Sequence, residues 1–271
     1  MRSRQRCSVD KVDAWAFGGW GVALKGVDGQ STTLPQLGTY QLDAAANDVI
    51  GDFTSWGPTD VDFRVKPDVM APGVNVVSSI PRSYCGGAPC FAFFNGTSMA
   101  SPHLAGSAAI VRQQRPGWSS DQVRSAIVNT ADRKVVRDLD GTTVVTDANK
   151  VGSGRENLLA AVNATVALDP VSISFGAVPS GAGQALQASL TLSNLTAAAQ
   201  TLTLAVVEAQ GGGVAFSVPA APITLPAGGS RTVTVSLATL KGAAAGGKQA
   251  VLQVLSGTTP VAQAMLYTLV K

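Results

Sequence analysis

Hydrophobic and polar positions change rhythm once along this chain. Beyond residue 168 they alternate: Ser189-Leu-Thr-Leu-Ser193, Gln200-Thr-Leu-Thr-Leu204, Arg231-Thr-Val-Thr-Val-Ser-Leu237 and Val251-Leu-Gln-Val-Leu255 carry apolar side chains at every second position, and the run 262–269 does so more loosely. Such alternation sends one set of side chains inward and the other to solvent, as in a half-buried strand. Glycine-rich clusters at 181–183, 211–213, 227–230 and 245–247 separate the runs as turns do. Short strands at this density, about seven in roughly a hundred residues, predict an antiparallel β-sandwich.

The first 167 residues mix strand and helix signals. The stretch 74–80 reads as a buried strand after the turn Ala71-Pro-Gly73. Residues 98–114 are small and apolar on nearly every side, which predicts a helix packed all round. Pro102 is expected in its first turn, where the missing N–H costs nothing, and Pro116-Gly117 ends it. Ser119 and Gln122 form a capping-box pattern opening a helix over 121–131, and a third short helix is expected over 155–163. Strands followed by helices predict an α/β layer structure. The expected division is 1–47, poorly defined; 48–167, α/β; and 168–271, all-β.

Composition narrows the function classes. Charged residues make up 14% of the 271 residues and apolar ones 45%, so the chain is expected to fold. The net charge of +3 comes without a Lys/Arg cluster, which argues against a nucleic-acid partner. No run of eighteen apolar residues exists to span a membrane, and the basic residues 1–10 are not followed by the apolar core of a signal peptide. The β-rich tail carries no nucleophile, metal cluster or phosphate loop and reads as a passive or binding module; no metal or cofactor motif is visible elsewhere. Cys85 and Cys90 bracket Gly-Gly-Ala-Pro, a loop short and turn-rich enough for a local disulfide. Free thiols remain open, and a zinc site is disfavoured for want of a second cysteine pair or a nearby histidine. Cys7 has no partner among the three cysteines.

The chemistry lies in Phe93-Phe-Asn-Gly-Thr-Ser-Met-Ala-Ser-Pro-His-Leu-Ala-Gly106. Gly96 permits a tight turn, and Ser98 opens the helix among unpaired N–H groups and the positive end of the dipole. Those donors can hold the oxyanion of a tetrahedral acyl intermediate. The simpler reading, Ser98 as an N-cap, stays open on helix logic alone.

The whole string closely resembles the nucleophile segment of subtilisin-like serine proteases, the subtilases. Asp52-Phe-Thr-Ser-Trp-Gly-Pro58 and Lys66-Pro-Asp-Val-Met-Ala-Pro-Gly73 resemble the strand and turn segments upstream, and Gln122-Val-Arg-Ser-Ala-Ile-Val-Asn-Thr-Ala131 the helix that follows. The similarity covers residues 48–165. Residues 1–47 resemble the end of a protease-associated insert, through Arg6-Cys-Ser-Val-Asp-Lys-Val12, and the tail resembles a fibronectin-III-like sandwich of the immunoglobulin type. The resemblance implies a partial subtilisin-like parallel sheet with helices and peptide-bond hydrolysis through an acyl-enzyme on Ser98. It further implies that Thr97 and the backbone around Asn95 and Gly96 line the oxyanion pocket and substrate edge. A protein or peptide substrate, no cofactor and a secreted location follow in the same way.

One departure matters. The family runs Asp, His, Ser in chain order, yet no histidine precedes Ser98, and the family's Asp-Ser/Thr-Gly and His-Gly-Thr motifs are missing. Asp28-Gly-Gln matches poorly, and Asn47 is a weak substitute for the oxyanion asparagine. The lone histidine, His103, lies five residues after Ser98, about 140° around the helix axis. It is expected to be a packed helix residue; Asp52 and Asp68 are expected to be structural, and Lys66 is a base only by arithmetic. The expectation is little or no proteolysis by these residues alone. The alternatives are a non-catalytic binding or structural relic, and one half of a split protease needing an N-terminal catalytic half. Exposed apolar surface is expected on 48–165, and a self-contained fold for the sandwich.

Overall fold

The structure, a computed structural model, describes residues 47–85 and 90–271 together with strand segments at 24–25 and 31–32. Those segments, β1 (Leu24–Lys25) and β2 (Ser31–Thr32), pair antiparallel. Arg6 to Val12, Cys7 and Asp28, which carried readings above, lie outside the described residues. The described chain divides into two compact units. One contains residues up to 54 with Pro72–His103 and Arg137–Val144; the other contains Ser55–Ala71, Leu104–Val136 and Val145–Lys271.

In the first unit, β3 (Val76–Ser79) and β4 (Phe91–Phe94) form an antiparallel hairpin in which Val76 faces Phe94 and Ser79 faces Phe91. Cys85 and Cys90 are disulfide-bonded within the connection that joins the two strands, with Cα atoms 5.6 Å apart. The loop 137–144 holds residues 47–50. Ile50 N–H donates to Arg137 O at 2.8 Å, Arg137 N–H donates to Asp48 O at 2.7 Å, and the Arg137 guanidinium donates to Asn47 O. Within that loop Asp140 accepts from the N–H groups of Thr142 and Thr143 and from the Thr143 hydroxyl. These bonds, the Thr143 hydroxyl foremost, lower the Asp140 carboxyl to about 2.

Four helices follow in chain order: α1 (Thr97–Gln114), α2 (Ser120–Asn129), α3 (Ala148–Val151) and α4 (Leu158–Val162). The capping box is formed as the sequence predicts: Ser119 Oγ accepts from Gln122 N–H, and Gln122 Oε1 accepts from Ser119 N–H. α2 turns Val123, Ala126 and Ile127 onto Val111 of α1 and onto Ala161 and Ala164. The third predicted helix is shorter than 155–163 because Arg155 is drawn into single bridges with Met70 and Asp132, and Asn157 then caps Leu158–Val162 by accepting from Ala160 N–H. α3 carried no readable signal. The expected parallel sheet of this region is represented, among the described residues, by the isolated parallel bridges Val49–Arg137 and Met70–Arg155.

Nine strands build the tail: β5 (Val166–Asp169), β6 (Ser172–Val178), β7 (Gln184–Asn194), β8 (Gln200–Val207), β9 (Val214–Ser217), β10 (Ile223–Leu225), β11 (Ser230–Thr239), β12 (Gly246–Ser256) and β13 (Thr259–Val270). They form a sheet ordered β10-β8-β12-β13-β6 and a second ordered β5-β7-β11-β9. Leu190, Leu192, Leu202, Val235, Leu237, Leu252 and Leu266 fill the core between them. Three details depart from the sequence reading. The strands begin at Val166, the cluster at 245–247 already enters β12, and β6 pairs parallel to β13 rather than antiparallel. No helix among the described residues is long and apolar enough to cross a membrane.

Candidate active site

Two close backbone approaches place Ser98. Gly96 N–H donates to Gly73 O at 2.8 Å, and a Cβ added at Gly73 would lie 2.9 Å from Gly96 O, so the two strings meet where Gly73 has no room for a side chain. Gly96 has φ near 152°, a conformation that favours glycine. Met99 and Ala100 N–H return to Gly96 O at 3.0 and 3.3 Å and close the first turn of α1. The N–H groups of Thr97 and Ser98, ahead of that closure, have no intrahelical acceptor. Both residues are exposed, which leaves the Ser98 hydroxyl in solvent at a helix N-terminus.

The Asn95 side chain is engaged next to this turn. Its Oδ1 accepts from Asn75 N–H, where Asn75 sits at φ near 51°. The side chain thus ties the approach to Ser98 onto the turn after Gly73, and only its backbone is left to line a substrate edge. Sequence reasoning missed this clamp, because the partners lie twenty residues apart and meet only once β3 and β4 pair.

Pro102 is also displaced from expectation. α1 begins at Thr97, so Pro102 lies inside the helix rather than in its first turn, and the helix offers Ser98 O no i+4 donor. His103 Nδ1 donates to Met99 O at 2.8 Å, which folds the ring back along its own helix. Of the remaining candidates, Asp68 takes Lys66 Nζ at 2.6 Å and Arg124 Nη2 at 3.2 Å on one oxygen, and Asp52 is exposed. Asn47 is engaged through its carbonyl. No group of three or more His, Cys, Asp or Glu side chains gathers among the described residues.

In the second unit the C-terminal half of α1 borders a groove of about 640 Å³, lined by Leu104, Ala108, Val123 and Ile127 and edged by Asp68, Arg112 and Arg124. α1 itself buries only Ser107 and Val111, while Ala105, Ala109 and Ile110 are exposed. The helix expected to be packed on every side is packed on one, against α2.

The geometry describes a serine presented on a glycine-clamped turn at the head of a helix. A sequence profile of the subtilase family matches residues 8–162, more than half of the chain. The chain belongs to the subtilase family. The minor extracellular protease Vpr of Bacillus subtilis is 39% identical over 132 residues, covering 49% of this chain and 16% of Vpr. Subtilisin Savinase of Lederbergia lenta is 44% identical over 94 residues, covering 35% of this chain and 29% of its own. The chain therefore spans less than a third of the length of these relatives. Among solved structures, the WR4 member of the MSP family from C. elegans covers 40% of this chain at 10% identity, with 99% of its own length aligned and a TM-score of 0.28.

Proposed function

We propose that Ser98 is the nucleophile of a subtilisin-like serine endopeptidase, attacking a peptide carbonyl to form an acyl-enzyme. The observation that carries this reading is the exposed Ser98 on the first turn of α1, fixed by the Gly73–Gly96 approach, in a string shared with the subtilases. The unpaired N–H groups of that turn supply donors to the oxyanion. Residues 48–167 act as the nucleophile-bearing part of the catalytic domain, and 168–271 as a fibronectin-III-like sandwich.

The general base comes from outside these 271 residues. No histidine precedes Ser98, and His103 is committed to Met99 O. Without a base, a serine hydroxyl at neutral pH is an unactivated alcohol. The substrate is a protein or peptide and the location extracellular. The Cys85–Cys90 disulfide and the extracellular relative support that location.

A fluorophosphonate probe tests the assignment. The purified chain is expected to stay unlabelled. Co-expressed with an N-terminal subtilase segment that carries the family's Asp and His motifs, it is expected to label at Ser98 and to lose the label in Ser98→Ala. Labelling of the chain alone would overturn the external base. Absence of labelling in the co-expressed pair counts against the nucleophile and favours a non-catalytic role.

A further inference from the structure

We infer that the β12–β13 face of the sandwich is the base on which the short helices of the second unit fold, with Gln249 and Gln263 as the side chains that join them. The sandwich's function here is then to complete another part of its own chain. This inference stands whether or not Ser98 is a nucleophile.

The two glutamines behave as pieces of backbone. Gln249, on β12, accepts from Ala148 N–H with Oε1 at 2.8 Å and donates from Nε2 to Thr146 O at 3.0 Å. A carbonyl at one residue and an N–H two residues on is the pair that a neighbouring parallel strand would satisfy. Gln263, on β13, donates from Nε2 to Ala131 O at 2.8 Å and to Ser153 O at 3.2 Å, and its own carbonyl accepts from Asn129 Nδ2 at 2.7 Å. Two carboxamides thus satisfy backbone groups at 131, 146, 148 and 153, around α3 and at the end of α2.

The helices cannot supply this themselves. α3 has four residues and α4 five, far below the length at which an isolated helix persists in water. α2 carries polar groups on its buried face that find their partners in the tail. Asn129, 1% exposed, donates to Val171 O, and Ser125 Oγ accepts from Leu168 N–H. Val65 and Ala148 complete one apolar cluster with Val251, Met265 and Tyr267. Arg133, nearly buried, reaches Glu208 at 2.8 Å. The outer face of the other sheet is built differently: exposed Ser189, Thr232 and Thr234, with Thr191 and Thr232 sharing a hydroxyl bond at 3.0 Å.

Hydrogen exchange on the full chain, followed by NMR or mass spectrometry, tests this. In the unmodified chain, amides of α2, α3 and α4 are expected to be protected to the same degree as those of β12 and β13. In the double variant Gln249→Ala/Gln263→Ala, exchange around α3 and at the end of α2 is expected to rise about tenfold or more while β7 and β11 hold. Thr232→Ala, on the opposite face, is expected to change neither. The inference is overturned if the unmodified chain exchanges the amides of α3 and of the end of α2 far faster than those of β12 and β13, or if the double variant leaves them unchanged. Should the double variant fail to fold, the pattern of the unmodified chain decides alone.

Discussion

Individual residues here are constrained chiefly by how close two backbones run. A methyl group at Gly73 would meet Gly96 O at 2.9 Å and the Ala100 side chain at 3.3 Å, so the turn and the head of α1 would have to part. Gly73→Ala is expected to cost about 1–3 kcal/mol, read as a lowered urea midpoint; an unchanged midpoint would show that the approach can relax. Asp140 offers a separate test, because its carboxyl is held at about 2 against an ordinary 3.8, first by the Thr143 hydroxyl and then by the Thr143 and Thr142 N–H groups. A lowered folded pKa gives stability that is present above the unfolded value and is lost as pH falls through the folded one. The loop 137–144 should therefore loosen between about pH 4 and pH 2. In Thr143→Ala the Asp140 carboxyl should titrate higher, yet still below its ordinary value, because the backbone donors remain. Carboxyl-carbon NMR reads this directly, and an unmoved titration refutes the attribution to Thr143.

Elements formed where local rules sufficed. The α2 capping box needs only residues 119–122, and Ser119→Ala should lower stability by about 1 kcal/mol. A thermal melt with no shift would mean that tertiary packing alone sets the start of α2. The alternating runs lie inside β7, β8, β11, β12 and β13 because their inward residues, Leu190, Leu202, Val235 and Leu252 among them, need only a facing sheet. What the sequence left unread depends on distant partners. β9 and β10 are four and three residues long, too short to show a period, and β6 is recruited in parallel by β13. Arg155 looks helical until Met70 and Asp132 draw it into bridges. The site divides in the same way. Ser98, Gly96 and Thr97 are legible as one string, whereas the Asn75–Asn95 clamp and the Arg137 hold on Asn47 exist only after the hairpin and the loop have closed.

For the molecule as a whole, the two apolar surfaces of the second unit have different fates. The outer side of β12 and β13 is covered, by Val65 and Ala148 against Val251, Met265 and Tyr267. Along α1 and α2 a groove of about 640 Å³ remains among the described residues, with Leu104, Ala108, Val123 and Ile127 on its walls and exposed Ala109 at its edge. Its basic rim, Arg112 and Arg124, is only partly neutralised by Asp68, which already shares one oxygen between Lys66 and Arg124. An apolar, rim-basic groove of this size suits an aromatic sulfonate. Anilinonaphthalene sulfonate is therefore expected to fluoresce with the native chain well below its unfolding transition and to be released by excess unlabelled dye analogue. Ala109→Glu projects a negatively charged side chain into the groove from an exposed helical position, where glutamate is well tolerated. It should reduce dye binding several-fold while leaving the melting temperature within a few degrees. Equal binding by the variant would place the dye elsewhere, and no enhancement with the native chain would mean that the groove is occupied in solution.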